Sequence, residues 1–156
     1  MHISLCLCRK AALYKMTIEE TKNYAEQLAA SVGAYRRIFA LVGDLGAGKT
    51  TFSVFFLRAL GVTEPVTSPT FVIMKHYSLP TTHYPLSSAY HMDCYRLKNT
   101  EELAPLGFAE ILADKKNIVL IEWADRIADA LPADTVWIDF AHADETNRHI
   151  ISRTEK

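Results

Sequence analysis

The strongest chemical signal in the chain is a glycine-rich stretch, GDLGAGKT, at residues 43–50. It matches the pattern G-x-x-x-x-G-K-[ST] in every fixed position and lies between an apolar run at 38–42 and a segment typical of a helix. Gly46 and Gly48 permit backbone conformations in which successive N–H groups point at one anion. A helix beginning at Lys49 would add unpaired N–H groups and the positive end of its dipole. The stretch therefore predicts a cradle for phosphate groups.

Lys49 and Thr50 indicate which phosphate compound the cradle binds. Lys49 can bring a positive charge to the β- and γ-phosphates of a nucleoside triphosphate, and the Thr50 hydroxyl can bind the Mg²⁺ that bridges them. The sequence has no Asn-Lys-x-Asp motif, which guanine-specific proteins carry, so we expect ATP with Mg²⁺. The competing interpretation, a glycine-rich turn that fits the pattern by chance, is disfavoured by the strand and helix that flank it.

A second candidate is Glu122, which follows the apolar run at 118–121. An unbroken apolar run of this kind indicates a strand buried on both faces. Ligands of open α/β sheets bind beyond the carboxyl ends of such strands, so Glu122 is predicted to hold the Mg²⁺ directly or through water. The alternative is an ordinary carboxylate at a strand end.

The segment at 91–96, HMDCYR, is unusually polar for a strand. Strand alternation would put His91, Asp93 and Tyr95 on one face and Arg96 on the other. Asp93 could order the attacking water or a metal-bound water, and Arg96 could meet charge that develops on phosphate. A structural network of ion pairs and hydrogen bonds explains the same residues equally well.

Three further side chains have ambiguous roles. Trp123 could pack against the nucleotide or a partner, although a tryptophan beside a buried strand more often belongs to the core. Ser68 and Thr70 could reach the γ-phosphate, or could simply stabilise a turn.

The elements that must position these residues follow from periodicity. Thr17 and Glu20 form a capping-box pattern at the start of an amphipathic helix that ends near Gly33. A second helix is predicted over 49–60. Strands are predicted at 71–77 and 89–97 as an antiparallel pair, because the connection between them is polar and rich in proline.

The C-terminal half is predicted to contain two helices and three strands. A helix over 103–113, weakened by Pro105 and Gly107, precedes the strand at 118–121, and a short helix then runs to Leu131. Strands at 135–141 and 149–153 would form a hairpin. These elements together predict an α/β fold of the P-loop NTPase type, with three layers and a mixed, mostly parallel central sheet flanked by helices.

Composition limits the class of protein. The chain has 156 residues, 49% of them hydrophobic and 22% charged, which predicts one globular domain over 16–156. The net charge of -1 is unlike that of a protein that grips nucleic acid alone, so any RNA is expected to be held by a partner. Three cysteines without metal-binding spacing favour a reducing cytoplasm, and neither a membrane nor DNA is expected as a partner.

Residues 1–15 precede a second methionine, Met16. Their basic residues follow the apolar ones, contrary to the order in a signal peptide. We interpret them as an upstream extension with the native start at Met16. The alternative is an organelle transit peptide, suggested by the absence of acidic residues.

Four segments of the chain together resemble, in order and spacing, the bacterial TsaE (YjeE) ATPases. They are GDLGAGKTTF at 43–52, SPTF at 68–71, HMDCYRL at 91–97 and IEW at 121–123. The resemblance implies an ATPase that works with TsaB and TsaD in the threonylcarbamoyl modification of adenosine 37 in tRNA. We expect weak activity without these partners, because no single arginine is placed to act as a built-in arginine finger. The resemblance also implies that Thr50 and Glu122 hold Mg²⁺ and that Lys49, Asp93, Glu122 and Trp123 are needed for activity. The residues that it implies for phosphate binding are Leu45, Gly46, Ala47, Gly48, Lys49, Thr50 and Thr51.

Some features depart from the family pattern. Ala124 stands where a proline is frequent, and the connection at 79–88 is longer than expected. Two other functions also remain open. A small-molecule P-loop kinase would need an acceptor pocket and a lid, and the 79–88 connection carries no arginine. A nucleotide-gated adaptor that does not hydrolyse ATP would lock a complex instead.

Overall fold

A computed structural model describes residues 14–33, 36–83 and 85–153. The described part contains three α-helices, namely α1 (Ile18–Ala30), α2 (Lys49–Ala59) and α3 (Phe108–Ala113). Short 3-10 segments occupy Thr81–His83, Thr100–Leu106 and Ala124–Ala130. The strands are β1 (Tyr14–Met16), β2 (Ile38–Gly43), β3 (Met74–Ser78), β4 (Ser88–Asp93), β5 (Asn117–Glu122), β6 (Val136–His142) and β7 (Arg148–Arg153).

All these strands belong to one sheet, in the order β1-β7-β6-β2-β5-β4-β3. The four central strands are parallel, since β2 pairs in parallel with both β5 and β6 and β4 does so with β5. The outer pairs, β3 with β4, β6 with β7, and β7 with β1, are antiparallel. The mixed sheet predicted from the sequence is therefore confirmed, with its parallel strands at the centre.

Helices cover both faces of the sheet, because its central strands are apolar on both sides. Phe39 and Leu41 of β2 face α1 and α2, while Ile38 and Ala40 pack in the cluster on the opposite face, which includes Phe108 of α3. On the first face the rings of Phe39 and Phe56 have centroids 4.9 Å apart. The result is the predicted three-layer α/β arrangement, with the strand that carries Glu122 buried along its whole length.

The first helix begins as predicted. Thr17 accepts a hydrogen bond from the Glu20 N–H, and the Glu20 carboxylate accepts one from the Thr17 N–H, which together form the capping box. Ile18, which the helical spacing assigns to the buried face, is 65% exposed. Burial is confirmed for later members of that face, such as Ala25 and Leu28.

The strands around the polar segment are shorter than predicted. The strand predicted to begin at 71 begins at Met74, because Ile73 adopts a positive φ of 64° and the Val72 N–H bonds to the Pro69 carbonyl in a turn. The strand predicted to reach 97 ends at Asp93, since the Leu97 N–H bonds back to the Cys94 carbonyl. Tyr95 and Arg96 therefore leave the strand, and the alternation predicted for them was wrong.

The segment at 103–113 is not one helix. A 3-10 segment ends at Leu106, and α3 begins at Phe108, with Gly107 between them at a φ of 66°. Pro105 contributes to the break because it has no N–H for an α-helical hydrogen bond. The short helix predicted before Leu131 is a 3-10 segment, whereas the C-terminal hairpin is confirmed as β6 and β7.

Part of the predicted extension belongs to the sheet. Tyr14 and Lys15 pair with Ile150 and His149 as part of β1. Residues 1–13 lie outside the described residues, and the proposal that Met16 is the native start stays a prediction. None of the described helices has the length and hydropathy needed to cross a membrane.

Candidate functional site

The glycine-rich loop leaves the carboxyl end of the central strand β2 and ends at the first residue of α2. Gly43, Gly46 and Gly48 all have positive φ, at 145°, 74° and 107°. A Cβ atom on Gly43 would lie 2.2 Å from the carbonyl oxygen of Phe140, so a side chain cannot be accommodated there. The close approach of β6 thus explains why glycine begins the loop, a position that the phosphate argument alone did not explain.

Lys49 is buried beneath the loop, with only 4% of its surface exposed. Its Nζ atom donates hydrogen bonds to the carbonyl oxygens of Gly43 at 2.5 Å and Asp44 at 2.8 Å. The same ammonium lies 4.0 Å from the ring centre of Trp123. Burial lowers the pKa of Lys49, and nearby carboxylates, Glu122 first, oppose that shift.

Glu122 is the centre of a buried polar cluster. Thr50 Oγ1 donates to Glu122 Oε2 at 2.7 Å, and the Ser53 hydroxyl lies 3.3 Å from Oε1. His91 Nε2 lies 2.7 Å from the same Oε1 atom. The carboxylate is 2% exposed and His91 is fully buried. Side chains from α2 and β4 therefore meet at one desolvated acid at the end of β5.

Asp93 lies beside Glu122 in the register of β4 and β5. Its Oδ2 atom accepts a hydrogen bond from Thr70 Oγ1 at 2.5 Å, and Oδ1 accepts one from the Tyr95 N–H at 2.9 Å. Ser68 and Thr70 are joined through their hydroxyls at 2.6 Å. The loop at 68–70 is thereby hydrogen-bonded to Asp93, one of the site residues predicted from the sequence.

Trp123 and the residues around it form the rim of the site. Trp123 is half-buried and has a left-handed backbone, with φ of 57°, and its ring lies 5.0 Å from that of Tyr95. The Arg96 guanidinium lies 4.6 Å above the ring of Phe71, which is 82% exposed. The role predicted for Arg96 toward phosphate stays a prediction.

The other residues predicted to bind phosphate follow the backbone of the loop. Ala47 is fully buried and donates its N–H to the Asp44 carbonyl, whereas Leu45 is 78% exposed. Thr51 is exposed on the first turn of α2. Of the predicted residues, Leu45, Gly46 and Thr51 are thus exposed, Gly48 and Thr50 are partly buried, and Ala47 and Lys49 are buried.

Sequence reasoning assigned no role to Ser53 and no specific role to His91. Ser53 lies one helical turn after Lys49 and accordingly shares its face of α2, a spacing that could have indicated it. His91 lies two residues before Asp93, so strand alternation puts both on one face of β4, and only the parallel pairing of β4 with β5 puts that face beside Glu122. Neither contact is visible without the strand order.

A groove of about 600 Å³ lies elsewhere on the protein. It is lined by apolar residues such as Leu103 and Phe108 and by Arg37, which precedes β2 at the opposite end of the strand from the glycine-rich loop. None of the predicted site residues lines it.

Cys94, which follows Asp93 in the chain, is buried, and burial raises its pKa to about 12, so it is a protonated thiol.

A mixed α/β sheet whose parallel central strand leads through a glycine-rich turn into a helix defines the P-loop class of folds. A family model described as "Threonylcarbamoyl adenosine biosynthesis protein TsaE" matches residues 16–150. The chain therefore belongs to the TsaE family.

Individual relatives agree with this assignment. The tRNA threonylcarbamoyladenosine biosynthesis protein TsaE of Bacillus subtilis is 40% identical over 135 residues, which cover 85% of this chain and 78% of the relative. The protein of the same name from Rickettsia bellii is 37% identical, with 83% and 85% coverage. The crystal structure of Bacillus subtilis YdiB matches with a TM-score of 0.67 and 30% identity over 94% of this chain and 89% of that one.

Proposed function

We propose that this protein is an ATPase that supports the threonylcarbamoyl modification of adenosine 37 in tRNA. Its family is that of threonylcarbamoyl adenosine biosynthesis proteins. The observation that best supports ATP binding is the contact of 2.7 Å between Thr50 and Glu122 at the start of α2, directly after the glycine-rich loop. We propose ATP and Mg²⁺ as its ligands and Leu45, Gly46, Ala47, Gly48, Lys49, Thr50 and Thr51 as the residues around the phosphates.

The phosphates would be bound by backbone N–H groups and Lys49. Within the described residues no side chain caps the amino end of α2, so its first N–H groups can donate to an anion. The Lys49 ammonium has three protons, and two of them already have carbonyl acceptors. The third proton can then serve a phosphate oxygen while the carbonyls keep the ammonium in place.

The residues present fit a magnesium ion. Thr50 and Glu122 offer hydroxyl and carboxylate oxygens, which are ligands of the type that Mg²⁺ prefers. The ion would also use phosphate oxygens and water, which agrees with the absence of any group of three or more acidic, histidine or cysteine ligands among the described residues. When bound, Mg²⁺ supplies positive charge that offsets the charge on the phosphates.

Asp93 would hold the attacking water. Each of its oxygens accepts one hydrogen bond from the protein, and each retains a second lone pair for a water molecule. Trp123 would act by packing against the Lys49 ammonium and keeping it beside the loop. Both residues contribute orientation and electrostatics, which account for most catalysis of phosphoryl transfer.

A small cleft lined by residues of the loop offers room for part of the nucleoside. It has a volume of about 120 Å³ and is lined by Gly46, Gly48, Thr51, Phe140 and Arg148, among others. Because the cleft is lined by Thr51 as well as by the loop, a nucleotide whose phosphates lie in the loop could extend into it.

The partners that we propose are the TsaB and TsaD proteins, with tRNA held through them, in the cytoplasm. Large apolar side chains are exposed close to the site, including Phe71 at 82% and Val72 at 58%. Exposed apolar groups of this size often contact another protein. The nearly balanced charge supports indirect contact with tRNA, because direct binding would require many basic residues.

The test is release of ADP from ATP by the purified protein, alone and with TsaB and TsaD. We expect slow hydrolysis alone, faster hydrolysis with the partners, and a loss of about 100-fold or more in Lys49→Ala, because the removed charge faces the phosphates. Lys115→Ala is the matched control, since Lys115 is an exposed residue on the groove that contains Arg37, at the opposite end of β2 from the loop.

Each other outcome has a defined meaning. Equal hydrolysis with and without the partners would contradict the role in tRNA modification, and phosphate transfer to a metabolite would favour a kinase. Full modification of tRNA in the presence of a non-hydrolysable ATP analogue would favour the adaptor. Undiminished hydrolysis by Lys49→Ala would contradict the proposed site.

A further inference from the structure

His91 is a fully buried histidine in contact with the acid of the site. It lies on β4, while Glu122 lies at the end of the neighbouring parallel strand β5. The Nε2 atom of His91 is 2.7 Å from Glu122 Oε1, and the two residues are 0% and 2% exposed. A polar contact of this kind in a dry environment fixes geometry strongly, because no water competes for either group.

The hydrogen bonds around Glu122 make His91 the main donor to Oε1. Oε2 already accepts the Thr50 hydroxyl. The Ser53 hydroxyl lies 3.3 Å from Oε1 but only 3.0 Å from the Lys49 carbonyl oxygen, and its single proton cannot serve both. His91 at 2.7 Å is therefore the group that holds Oε1.

The contact also defines the orientation of the imidazole. Because a carboxylate oxygen accepts, Nε2 carries the proton in this contact. The other ring nitrogen, Nδ1, has no hydrogen-bond partner among the described residues. The ring is consequently held through one polar contact, which points to Glu122.

We propose that His91 is a positioning residue for Glu122. By holding Oε1, His91 keeps Glu122 Oε2 directed at Thr50. Oε2 and the Thr50 hydroxyl oxygen can then bind Mg²⁺ together. This inference rests on the proposed function, since it assigns His91 a part in binding Mg²⁺ with ATP. A partner that orients a metal-binding carboxylate commonly contributes about 10- to 100-fold to metal affinity.

The experiment compares His91→Gln with His91→Leu. The amide nitrogen of glutamine lies the same number of bonds from Cβ as Nε2 of histidine, so it can donate to Oε1, whereas leucine fills the space without a donor. His91→Asn replaces the leucine variant if that variant does not fold, because its amide nitrogen lies one bond closer to Cβ and falls short of Oε1.

The readout is the affinity of Mn²⁺, a spectroscopic probe for Mg²⁺, measured by electron paramagnetic resonance with a non-hydrolysable ATP analogue bound. We expect a loss of about 10-fold or more in His91→Leu and less than about 3-fold in His91→Gln. Binding of the analogue in EDTA should be unchanged in both variants, because His91 faces the metal-binding acid and not the phosphate cradle.

Several results would overturn the proposal. Unchanged Mn²⁺ affinity in the leucine variant, or in the asparagine variant that replaces it, would do so. Equal losses in that variant and in the glutamine variant would also do so, because packing alone would then explain His91. If the wild-type protein bound the analogue but His91 made no difference, only this inference would fail. If the wild-type protein bound neither analogue nor Mn²⁺, the proposed function would fail with it.

Discussion

Individual carboxylates at the site have different surroundings, and this difference suggests different roles. Glu122 is 2% exposed and receives hydrogen bonds from Thr50 and His91, which suits an acid that must stay fixed. Asp93 is equally buried, at 3% exposed, but accepts its hydrogen bonds from the Thr70 hydroxyl and the Tyr95 N–H, both of which belong to turns outside the strands. The arrangement favours metal binding by Glu122 and a contact with reacting water by Asp93.

The charges around Lys49 explain why a divalent cation is expected with the nucleotide. Glu122, Asp93, Asp125 and Asp44 all act on this one ammonium. Because several carboxylates surround this single lysine, little net positive charge remains to bind a triphosphate. The bound metal would restore the balance, since carboxylates that repel phosphate attract Mg²⁺.

The role of Asp93 can be tested by Asp93→Ala. We expect ATP affinity to change by less than about 3-fold and hydrolysis to fall by about 100-fold or more, because a group that orients water acts mainly in the chemical step. Equilibrium binding of a fluorescent ATP analogue and single-turnover hydrolysis measure the two effects. Asp134→Ala, at an exposed residue on the far groove, is the matched control. Equal losses of binding and hydrolysis in Asp93→Ala would refute this role.

At the scale of elements, the site depends on how closely β2 and β6 approach at the start of the loop. Gly43 ends β2 and pairs with Phe140 of β6. Its φ of 145° and the short distance to the Phe140 carbonyl both exclude a side chain. The loop can therefore leave the sheet at this point only if residue 43 is glycine.

Gly43→Ala is expected to destabilise the fold by about 2 kcal/mol or more, because it combines backbone strain with a clash against the backbone of β6. Chemical denaturation followed by circular dichroism measures the change. Gly33→Ala is the matched control, since a Cβ at Gly33 has no heavy atom within 4 Å, and we expect it to be close to neutral. Similar stability of the two variants would show that β6 moves aside at little cost.

At the scale of the whole molecule, the two ends of the described chain meet at one edge of the sheet. β1 pairs with β7, which pairs with β6. Asp144, in the hairpin between β6 and β7, lies 2.8 Å from Lys15 of β1 and accepts hydrogen bonds from the Thr146 and Asn147 backbones. The contact with Lys15, followed by those with Asn147 and Thr146, lowers the pKa of Asp144.

This arrangement predicts a pH-dependent effect of Asp144→Asn. Because the folded-state pKa is depressed, the charge of Asp144 stabilises the fold above its unfolded-state pKa of about 4, and this contribution is lost as pH falls through the lower folded-state pKa. The wild type should therefore melt at a higher temperature than the variant at pH 7, and the difference should shrink below about pH 4. Calorimetry at several pH values tests this, with Asp134→Asn as control. A difference that grows on acidification would contradict the assignment.

The local features of the site could be predicted from the sequence because they depend on neighbours in the chain. The strand, glycine-rich loop and helix from 38 to 59 follow from apolar periodicity and from residue types that permit one backbone path. The capping box at Thr17 and the C-terminal hairpin are local in the same sense. The boundaries at Ile73 and Gly107 were missed because single backbone angles, not periodicity, set them.

The sequence by itself thus determined a glycine-rich turn that leads from a buried strand into a helix beginning with Lys49 and Thr50, together with the membership in the TsaE family that its motifs indicated. Only the tertiary structure decided what surrounds Glu122. Its contacts with Thr50, Ser53 and His91 join residues 72, 69 and 31 positions apart. Periodicity within one element cannot encode such contacts, because they depend on the order of parallel strands and on the helix that packs across them.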